Sequence, residues 1–362
     1  MTKMIVTDRA SDVSTLAGWA PAWADLVAAD PHATPFQSWA WARAWLQTVG
    51  AGRTVASLLL RDGRDAVALI PLYRSRGPWQ SLRFIGTGNS DYLLPIIRPG
   101  YEAVTQACLD ELVATGRGDL LDLHQVPDHH PLAAGFPTAE RTDQSRCLRL
   151  SLPPRFDDYV PRLSKSLRYE VRRRDKGLYK EGRATLDVAR TEDEARTAWN
   201  TFLDLHSRRW RRRGLPGAFA LPAVRRLHEA WIPLAHQAGE VVWITLRHDQ
   251  RPVGVWYGMR TPRTWYFFQS GFDPAAAALS PGTVLVAEAI RLAIEDGATG
   301  FDFLRGDEPY KRRWAPDTEG TNVRMMIQMS GMMSGPGATF NRAGHRIETA
   351  LRQRFEGRSL RS

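Results

Sequence analysis

The stretch SGFDPAAAALSPGTVLVAEAIRLAIEDGATGFDFLRG, Ser270 to Gly306, decides the fold because it joins a strand end, a helix and a second strand. The aromatic run TWYFFQSGFD, Thr264 to Asp273, is typical of a β-strand. From Thr283 to Gly297 the polar residues fall on one narrow face, which predicts a mostly buried helix. A β-strand, a helix and a further β-strand in this order predict a layered α/β fold.

The start of this helix is well marked. Ser280 suits the N-cap, and Pro281 suits the first helical position, where its missing N–H costs nothing. Gly282 would let a ligand approach the backbone, and the first turn through Thr283 offers amide groups and a positive dipole end. The pattern therefore fits a pyrophosphate site without a lysine, although an ordinarily capped helix in an α/β layer is the more common explanation of it.

The closing strand contains an unexpected charge. Strand alternation places Asp302 and Leu304 on one face of the sheet and Phe301 and Phe303 on the other. A carboxylate in so apolar a strand needs a partner or a function.

Composition limits the protein class. A chain of 362 residues exceeds what one core usually supports, so two domains are expected. The sequence has no membrane-span-length apolar run and no signal-peptide pattern at its start, which predicts a cytoplasmic protein. Two cysteines, Cys108 and Cys147, fit small core residues, and no metal-ligand spacing is present, so no metal site is expected.

The net charge of +10 is concentrated in two arginine-rich segments. Such patches attract polyanions, and CoA phosphates, RNA and anionic lipid are all open alternatives, as is a simple solvated helix face. The first segment comprises Arg162, Lys165, Arg168, Arg172, Arg173, Arg174 and Lys176, and the second comprises Arg208, Arg209, Arg211, Arg212 and Arg213.

The chain contains an internal echo. Ser90 is followed 32 residues later by Asp122, and Ser270 is followed at the same spacing by Asp302, with a predicted helix between them in each case. Two copies of one α/β unit are the economical explanation. The prolines at SLPPRFDD break regular structure and suggest domains at residues 1–152 and 153–330, with a linker and basic tail at 331–362.

A long helix is predicted from Thr191 to about Gly214, with Glu194 completing a capping box. Its apolar stripe ends in His206, which therefore points with the buried face. A lone histidine in that position is more often a core residue than a catalytic base, so both roles stay open.

Several segments together resemble a known family. PFQSWAWARAW, LSKSLRYEVRRR, LHSRRWRRRG, RPVGVWYG and the run from FFQSGFD to KRRWAP look like the cellulose-biosynthesis (CelD-like) acetyltransferases. That family belongs to the GNAT acyl-CoA N-acyltransferases and is related to the Fem transferases. The resemblance covers roughly residues 30 to 330. It implies mixed α/β sheets in tandem duplicated GNAT-like domains, of which the N-terminal one is degenerate and the C-terminal one binds acyl-CoA.

The resemblance also implies where the cofactor lies. In GNAT enzymes the pantetheine arm pairs with a strand that splays from its neighbour, which corresponds here to the segment ending in Gln269 and Ser270. The pyrophosphate lies on the following helix start, which corresponds to Ser280, Gly282 and Thr283. The usual glycine-rich loop, Q/R-x-x-G-x-G/A, is replaced by LSPGT, so acyl-CoA binding is inferred from position.

Direct attack of an amine or hydroxyl on a thioester needs a base, oxyanion stabilisation and a proton for the leaving thiolate. Asp302 or His206 could orient or deprotonate the acceptor, and Tyr310 could protonate the thiolate. Lys311 or Arg305 could hold an anionic group. The structural alternative is a salt-bridged turn that pairs Asp302, Asp307 and Glu308 with Arg305, Lys311 and Arg312.

Three functions remain open on the sequence. The first is an acyl-CoA-dependent acyltransferase acting on a small molecule or saccharide, with exopolysaccharide modification as the context. The second is a Fem-like transferase that uses aminoacyl-tRNA, although no coiled-coil segment of the Fem type is visible. The third is a non-catalytic module of polysaccharide synthesis.

Overall fold

The chain divides into two compact units in the computed structural model, which describes residues 5–75, 80–116, 120–180, 183–212, 214–329 and 339. Unit 1 is formed by the described residues within 1–145 and 321–362, and unit 2 is formed by those within 146–320. The predicted tail, 331–362, lies outside the described residues except for Thr339.

The elements of the first part of the chain alternate between short helices and strands. In chain order they are β1 (Ile5–Ala10), α1 (Val13–Gly18), α2 (Ala20–Ala29), α3 (Trp39–Gln47), β2 (Thr54–Val55), β3 (Ser57–Asp62), β4 (Asp65–Ile70), β5 (Leu72–Arg74), β6 (Ser81–Phe84), β7 (Ile96–Ile97), α4 (Glu102–Thr115), β8 (Leu120–Pro127), α5 (Pro131–Gly135) and β9 (Glu140–Ser151).

The second part carries the longer helices. Its elements are α6 (Phe156–Tyr159), α7 (Lys165–Lys180), β10 (Ala184–Val188), α8 (Glu192–Arg212), α9 (Pro222–Gln237), β11 (Val241–His248), β12 (Arg251–Arg260), β13 (Thr264–Phe272), α10 (Pro281–Glu295), β14 (Gly300–Arg305), α11 (Pro309–Arg312) and β15 (Thr318–Gln328).

Unit 1 contains two sets of paired strands. One is an antiparallel sheet in the order β1-β3-β4-β7, and the other runs β15-β8-β6-β5-β2 with β6 parallel to β8. Leucines of α4 and α5 pack on one face of the second set, where Leu109 and Leu132 meet Leu82, Leu121 and Leu123. Burial of these side chains is the main source of the unit's stability.

Unit 2 orders its strands β10-β11-β12-β13-β14-β9, and all neighbours are antiparallel except β13 and β14. Leu167 of α7 and Ile290 of α10 pack with Trp256 and Phe301 on one face. On the other face, α8 and α9 bury an aromatic cluster around Phe202. The predicted mixed α/β architecture is confirmed.

The division of the chain differs from the predicted boundaries at 152/153 and 330/331. The last residues of β9 pair with β14 in unit 2, whereas β15 pairs with β8 in unit 1 from Asn322 onwards. The sequence boundary was placed at the prolines after β9, but a strand belongs to the sheet that satisfies its backbone groups. Unit 2 is therefore continuous in sequence, whereas unit 1 is completed by a strand that follows unit 2 in the chain.

The capping box predicted at the start of α8 is present, since Glu194 N donates to Thr191 Oγ1 at 3.2 Å and Thr191 N donates to Glu194 Oε2 at 3.0 Å. The chain between α6 and α7 leaves the α-helical conformation, because Pro161 lies in a 3-10 turn and Leu163 is extended.

Arg324 of β15 supports the unit 1 sheet by a bidentate ion pair with the fully buried Asp122, at 2.7 and 2.9 Å. We predict that Arg324→Gln lowers the free energy of unfolding by about 3 kcal/mol, because it removes one partner of a buried pair. Urea unfolding followed by tryptophan fluorescence measures this. The exposed Arg64→Gln control should change it by less than about 0.5 kcal/mol, and equal midpoints for the two variants would contradict the assignment.

Candidate functional site

The defining feature of unit 2 is the point at which β13 and β14 separate. The recorded parallel pairing runs from Thr264 with Gly300 to Tyr266 with Asp302. Just beyond it, the register of β13 against β12 shifts, so that Phe268 is an extra residue on the β13 side. Such a bulge bends a strand and re-aims its side chains. The recorded pairing with β14 covers only the first part of β13. The bulge and this short pairing together leave the second half of β13 with an edge, on the side away from β12, at which a ligand could pair.

Gln269 and Ser270, both predicted to meet the cofactor, lie on this edge. Ser270 pairs with Trp256 of β12, and its own N–H donates to Gln269 Oε1 at 3.1 Å. A side-chain amide oxygen thus occupies the backbone donor that an extended ligand would use. Rotation of Gln269 would release that donor, so the edge is suited to pairing with an amide-bearing chain.

The start of α10 follows this edge in the chain. Ser280 is the residue before the helix but adopts a left-handed conformation, φ 44°, and its side chain makes no capping hydrogen bond, contrary to the prediction. The Thr283 and Val284 amides both donate to the Ser280 carbonyl, at 3.0 and 3.3 Å. Gly282 has open space around it, since a Cβ there would meet no atom within 4 Å. The helix start is therefore accessible at Gly282.

An acidic side chain already stands at this helix start. Thr283 Oγ1 lies 3.5 Å from Glu170 Oε1, and Arg313 NH2 donates to Glu170 Oε2 at 2.6 Å. A carboxylate is a favourable neighbour of a helix N-terminus, and here it also neutralises an arginine. An incoming phosphate would gain both the helix end and Arg313 if Glu170 moved aside.

Asp302 is part of the sheet's internal support. It is 1% exposed, lies 2.8 Å from Arg149 Nε through Oδ2, and accepts from the Leu304 amide at 2.7 Å through Oδ1. Leu304 has φ 56°, so the predicted alternation breaks there. The carboxylate holds this bend together and is poorly placed to act as a free base.

Lys311 is likewise committed to structure. The side chain is 4% exposed, and Nζ lies 2.8 Å from the Arg305 carbonyl, 3.3 Å from the Gly306 carbonyl and 2.9 Å from Glu308 Oε2. Two backbone carbonyls thus accept hydrogen bonds from the ammonium group, and the Glu308 carboxylate is its counter-ion. The salt-bridged turn that the sequence offered as an alternative is present for Lys311 with Glu308 and for Arg312 with Asp307, whereas Asp302 pairs with Arg149 instead.

Tyr310 lies where the two strands have parted. Its ring packs edge-on against Phe267 of β13 at 6.2 Å, and 41% of the side chain is exposed. Desolvation and then the negative charge of Glu308 raise the pKa of the phenol, and the positive charge of Arg209 opposes that rise. The hydroxyl carries its proton at neutral pH and can donate it.

His206 is buried in the aromatic cluster. Its ring lies 5.3 Å from Phe202 and 5.2 Å from Phe219, and its Nε2 has no hydrogen-bond partner among the described residues. Burial, followed by the charge of Arg209, lowers its pKa to about 4. A Cβ on Gly271 of β13 would lie 2.9 Å from the His206 backbone nitrogen, so α8 packs closely on the separated strand at this residue. The imidazole is neutral at pH 7, and the backbone of the same residue lies beside Gly271 of β13.

Sequence reasoning missed three groups that the fold brings to this region. Glu170 and Arg313 meet at the start of α10, and the Arg209 guanidinium stacks over Phe272 at 4.4 Å. Arg209 was noted only as one member of a charge cluster. Nothing in the sequence links α7 to the residues after β14, so no pattern could have identified the Glu170 pair.

Comparisons with known proteins agree with this geometry. A family model for an acetyltransferase (GNAT) domain matches residues 165–312. The structure of FemX matches with a TM-score of 0.64 at 10% identity, covering 91% of this chain and 98% of FemX. A conserved protein of unknown function from Bacteroides thetaiotaomicron VPI-5482 matches with a TM-score of 0.57 at 11% identity, covering 89% of this chain and 100% of that one.

No curated protein matches the sequence. At these identities the structural matches establish the fold, and the domain match indicates an acetyltransferase domain in unit 2. Among the described residues, no helix combines the length and apolar character needed to cross a bilayer.

The lowered pKa of His206 predicts how the free energy of unfolding changes at acid pH. Because its folded value of about 4 lies below the unfolded value, the unfolded chain binds more protons between these values and stability falls as the pH drops. We predict that His206→Phe reduces the loss of unfolding free energy between pH 7.5 and pH 5 by about 2 kcal/mol. Urea unfolding at both pH values measures it, and an unchanged pH dependence would contradict the burial of a neutral imidazole.

Proposed function

We propose that unit 2 transfers an acyl group from acyl-CoA to an amine or hydroxyl of a small molecule or saccharide. The observation that carries the proposal is the separation of β13 from β14 beside the bulge at Phe268, followed in the chain by the accessible helix start at Gly282. The pantetheine arm would pair with the β13 edge at Ser270 once Gln269 rotates. The pyrophosphate would lie at Gly282 and Thr283.

The reaction needs no covalent intermediate on the protein. The acceptor lone pair attacks the thioester carbon, the tetrahedral oxyanion collapses, and the C–S bond breaks. Tyr310 is placed to give its proton to the departing thiolate. His206 is the neutral group available to take the acceptor's proton, and Asp302 and Lys311 keep the end of β14 in shape.

A second candidate is aminoacyl transfer from a tRNA donor. The observation that favours it is Glu170 at the start of α10, since a carboxylate there disfavours a pyrophosphate, and arginines of α7 and α8 offer a surface for nucleic acid. The fold match to FemX is compatible with either donor. Binding to tRNA whose affinity falls steeply with salt, together with no binding of any acyl-CoA, would favour this candidate.

The cellulose-biosynthesis subfamily and a role in exopolysaccharide modification stay proposals that rest on the sequence resemblance. An acyl-CoA donor fits a cytoplasmic location, where that donor is made. A non-catalytic module would bind no donor and turn over no acceptor, so donor binding separates it from both enzymatic candidates.

Calorimetry with acetyl-CoA tests the proposal through a matched pair of variants. Gly282→Gln and Gly282→Glu place side chains of equal size in open space, and Glu is compatible with a helix start. We predict saturable acetyl-CoA binding that Gly282→Glu weakens about tenfold more than Gly282→Gln does, because a carboxylate repels the pyrophosphate.

Equal acetyl-CoA affinities for the two variants would show that the pyrophosphate does not bind at this helix start. Absence of binding for acyl-CoA of every chain length would overturn the acyl-CoA proposal itself.

Replacement of Tyr310 by Phe tests the general acid. We predict that Tyr310→Phe lowers kcat by about 100-fold or more with little change in the acetyl-CoA dissociation constant, since only the proton transfer is lost. Thiol release measured with any acceptor that supports turnover gives kcat, and calorimetry gives the constant. Unchanged kcat would remove Tyr310 from the chemistry.

A further inference from the structure

Unit 1 carries a row of polar side chains on the sheet face opposite its leucine core. Asp122 of β8 is at the centre, and it is fully buried. Arg324 of β15 pairs with it at 2.7 and 2.9 Å, and Arg83 of β6 pairs with it at 2.8 Å. Tyr73 of β5 lies beside Arg83 in the strand register, and the Arg53 guanidinium lies 5.2 Å from the Tyr73 ring centre. We call these five residues the arginine row.

The charges of the arginine row do not balance. Three guanidinium groups, those of Arg53, Arg83 and Arg324, accompany the single carboxylate of Asp122. Burial raises the pKa of the Tyr73 phenol. The charges of Arg83 and Arg53 oppose this rise, and the charge of Asp122 adds to it. Partly buried cations in excess are costly unless an anion accompanies them.

His124 does not supply the missing negative charge. Gln144 Oε1 accepts from the Gln125 amide at 2.7 Å, so its Nε2 is the group that faces His124 Nδ1 at 3.2 Å. His124 Nε2 lies 3.3 Å from Asp122 Oδ1, so the imidazole adjoins the same carboxylate and adds no negative charge to the row.

Two buried donors, one in the row and one beside it, lack acceptors among the described residues. Trp45 is 1% exposed and its ring centre lies 4.9 Å from that of Tyr73, yet its Nε1 has no hydrogen-bond partner among the described residues. Arg53 Nε is buried and also has no partner there. An unpaired buried N–H costs free energy, and both of these donors adjoin Tyr73, close to the excess of positive charge.

The imbalance and the unpaired donors independently indicate the same missing group. We propose that the arginine row binds an oxyanion, a carboxylate or a phosphate group, which accepts hydrogen bonds from Arg53 and Trp45 and is attracted by Arg83. Arg83 keeps 23% of its side chain exposed, so the site is open to solvent at this residue. Arg324 stays bound to Asp122 and provides the fixed end of the row.

Unit 2 offers an internal comparison. Its corresponding aspartate, Asp302, also pairs with an arginine of a neighbouring strand, Arg149 of β9. The proposal concerns binding at unit 1 alone, and it holds whether or not unit 2 uses acyl-CoA.

The test is calorimetry of the full chain, without any acyl donor, against inorganic phosphate and against acetate at equal ionic strength set with sodium chloride. We expect saturable binding of at least one of the two anions, and the tighter one identifies the preferred group. Arg53→Gln should weaken that binding about tenfold or more, because it removes a charged donor. The matched control, Arg64→Gln, changes an exposed arginine of the same unit and should leave the affinity unchanged.

Trp45→Phe gives an independent variant, since it keeps an aromatic ring against Tyr73 and removes only the N–H donor and some volume. It should also weaken anion binding several-fold, while the far-UV circular dichroism stays that of the parent. No saturable binding of either anion overturns the proposal. An affinity that is the same in Arg53→Gln and Arg64→Gln overturns it as well, because the anion would then lie elsewhere.

Discussion

The buried ion pair between an aspartate in one strand and an arginine in the antiparallel neighbour is the constraint on which both units depend. Asp302 pairs with Arg149 of β9, and Asp122 pairs with Arg324 of β15. Neither carboxylate could be buried at about 1% exposure or less without such a partner. Because Asp302 also lies opposite Tyr266 at the last recorded parallel pair, the ion pair marks where β13 and β14 begin to separate.

The separation, in turn, sets the character of the site. Ser270 lies on the edge of β13, the Tyr310 ring packs on Phe267 of the same strand, and α8 brings the backbone of His206 against Gly271. Asp302 and Lys311, which the sequence singled out as charged, hold the end of β14 in shape.

Much of this arrangement could be predicted from local patterns. The helix over Pro281–Glu295, the capping box of α8 and the strand over Thr264–Phe272 follow from side-chain periodicity and helix-start residues. The bend at Leu304 could not be predicted, since a non-glycine residue with positive φ is held there by the Asp302 carboxylate.

Contacts between residues that are distant in sequence could not be predicted either. The hydrogen bonds of Lys311 depend on where the carbonyls of Arg305 and Gly306 point, and the ion pair of Glu170 with Arg313 joins residues 143 positions apart. The 32-residue echo was a sound guide to the aspartates but not to the serines, because Ser270 lies in β13 while Ser90 follows β6 in a loop. A spacing records chain length and carries no information on strand partners.

The division of unit 1 into two separate stretches of sequence has a consequence for the order in which the chain acquires its structure. Unit 2 is one continuous stretch, so its sheet can close as soon as β14 has been synthesised. Unit 1 needs Arg324, which lies 202 residues after Asp122 and reaches the ribosome exit late. Asp122 is therefore synthesised long before Arg324. Unit 1, whose synthesis begins first, is the unit that completes its sheet last.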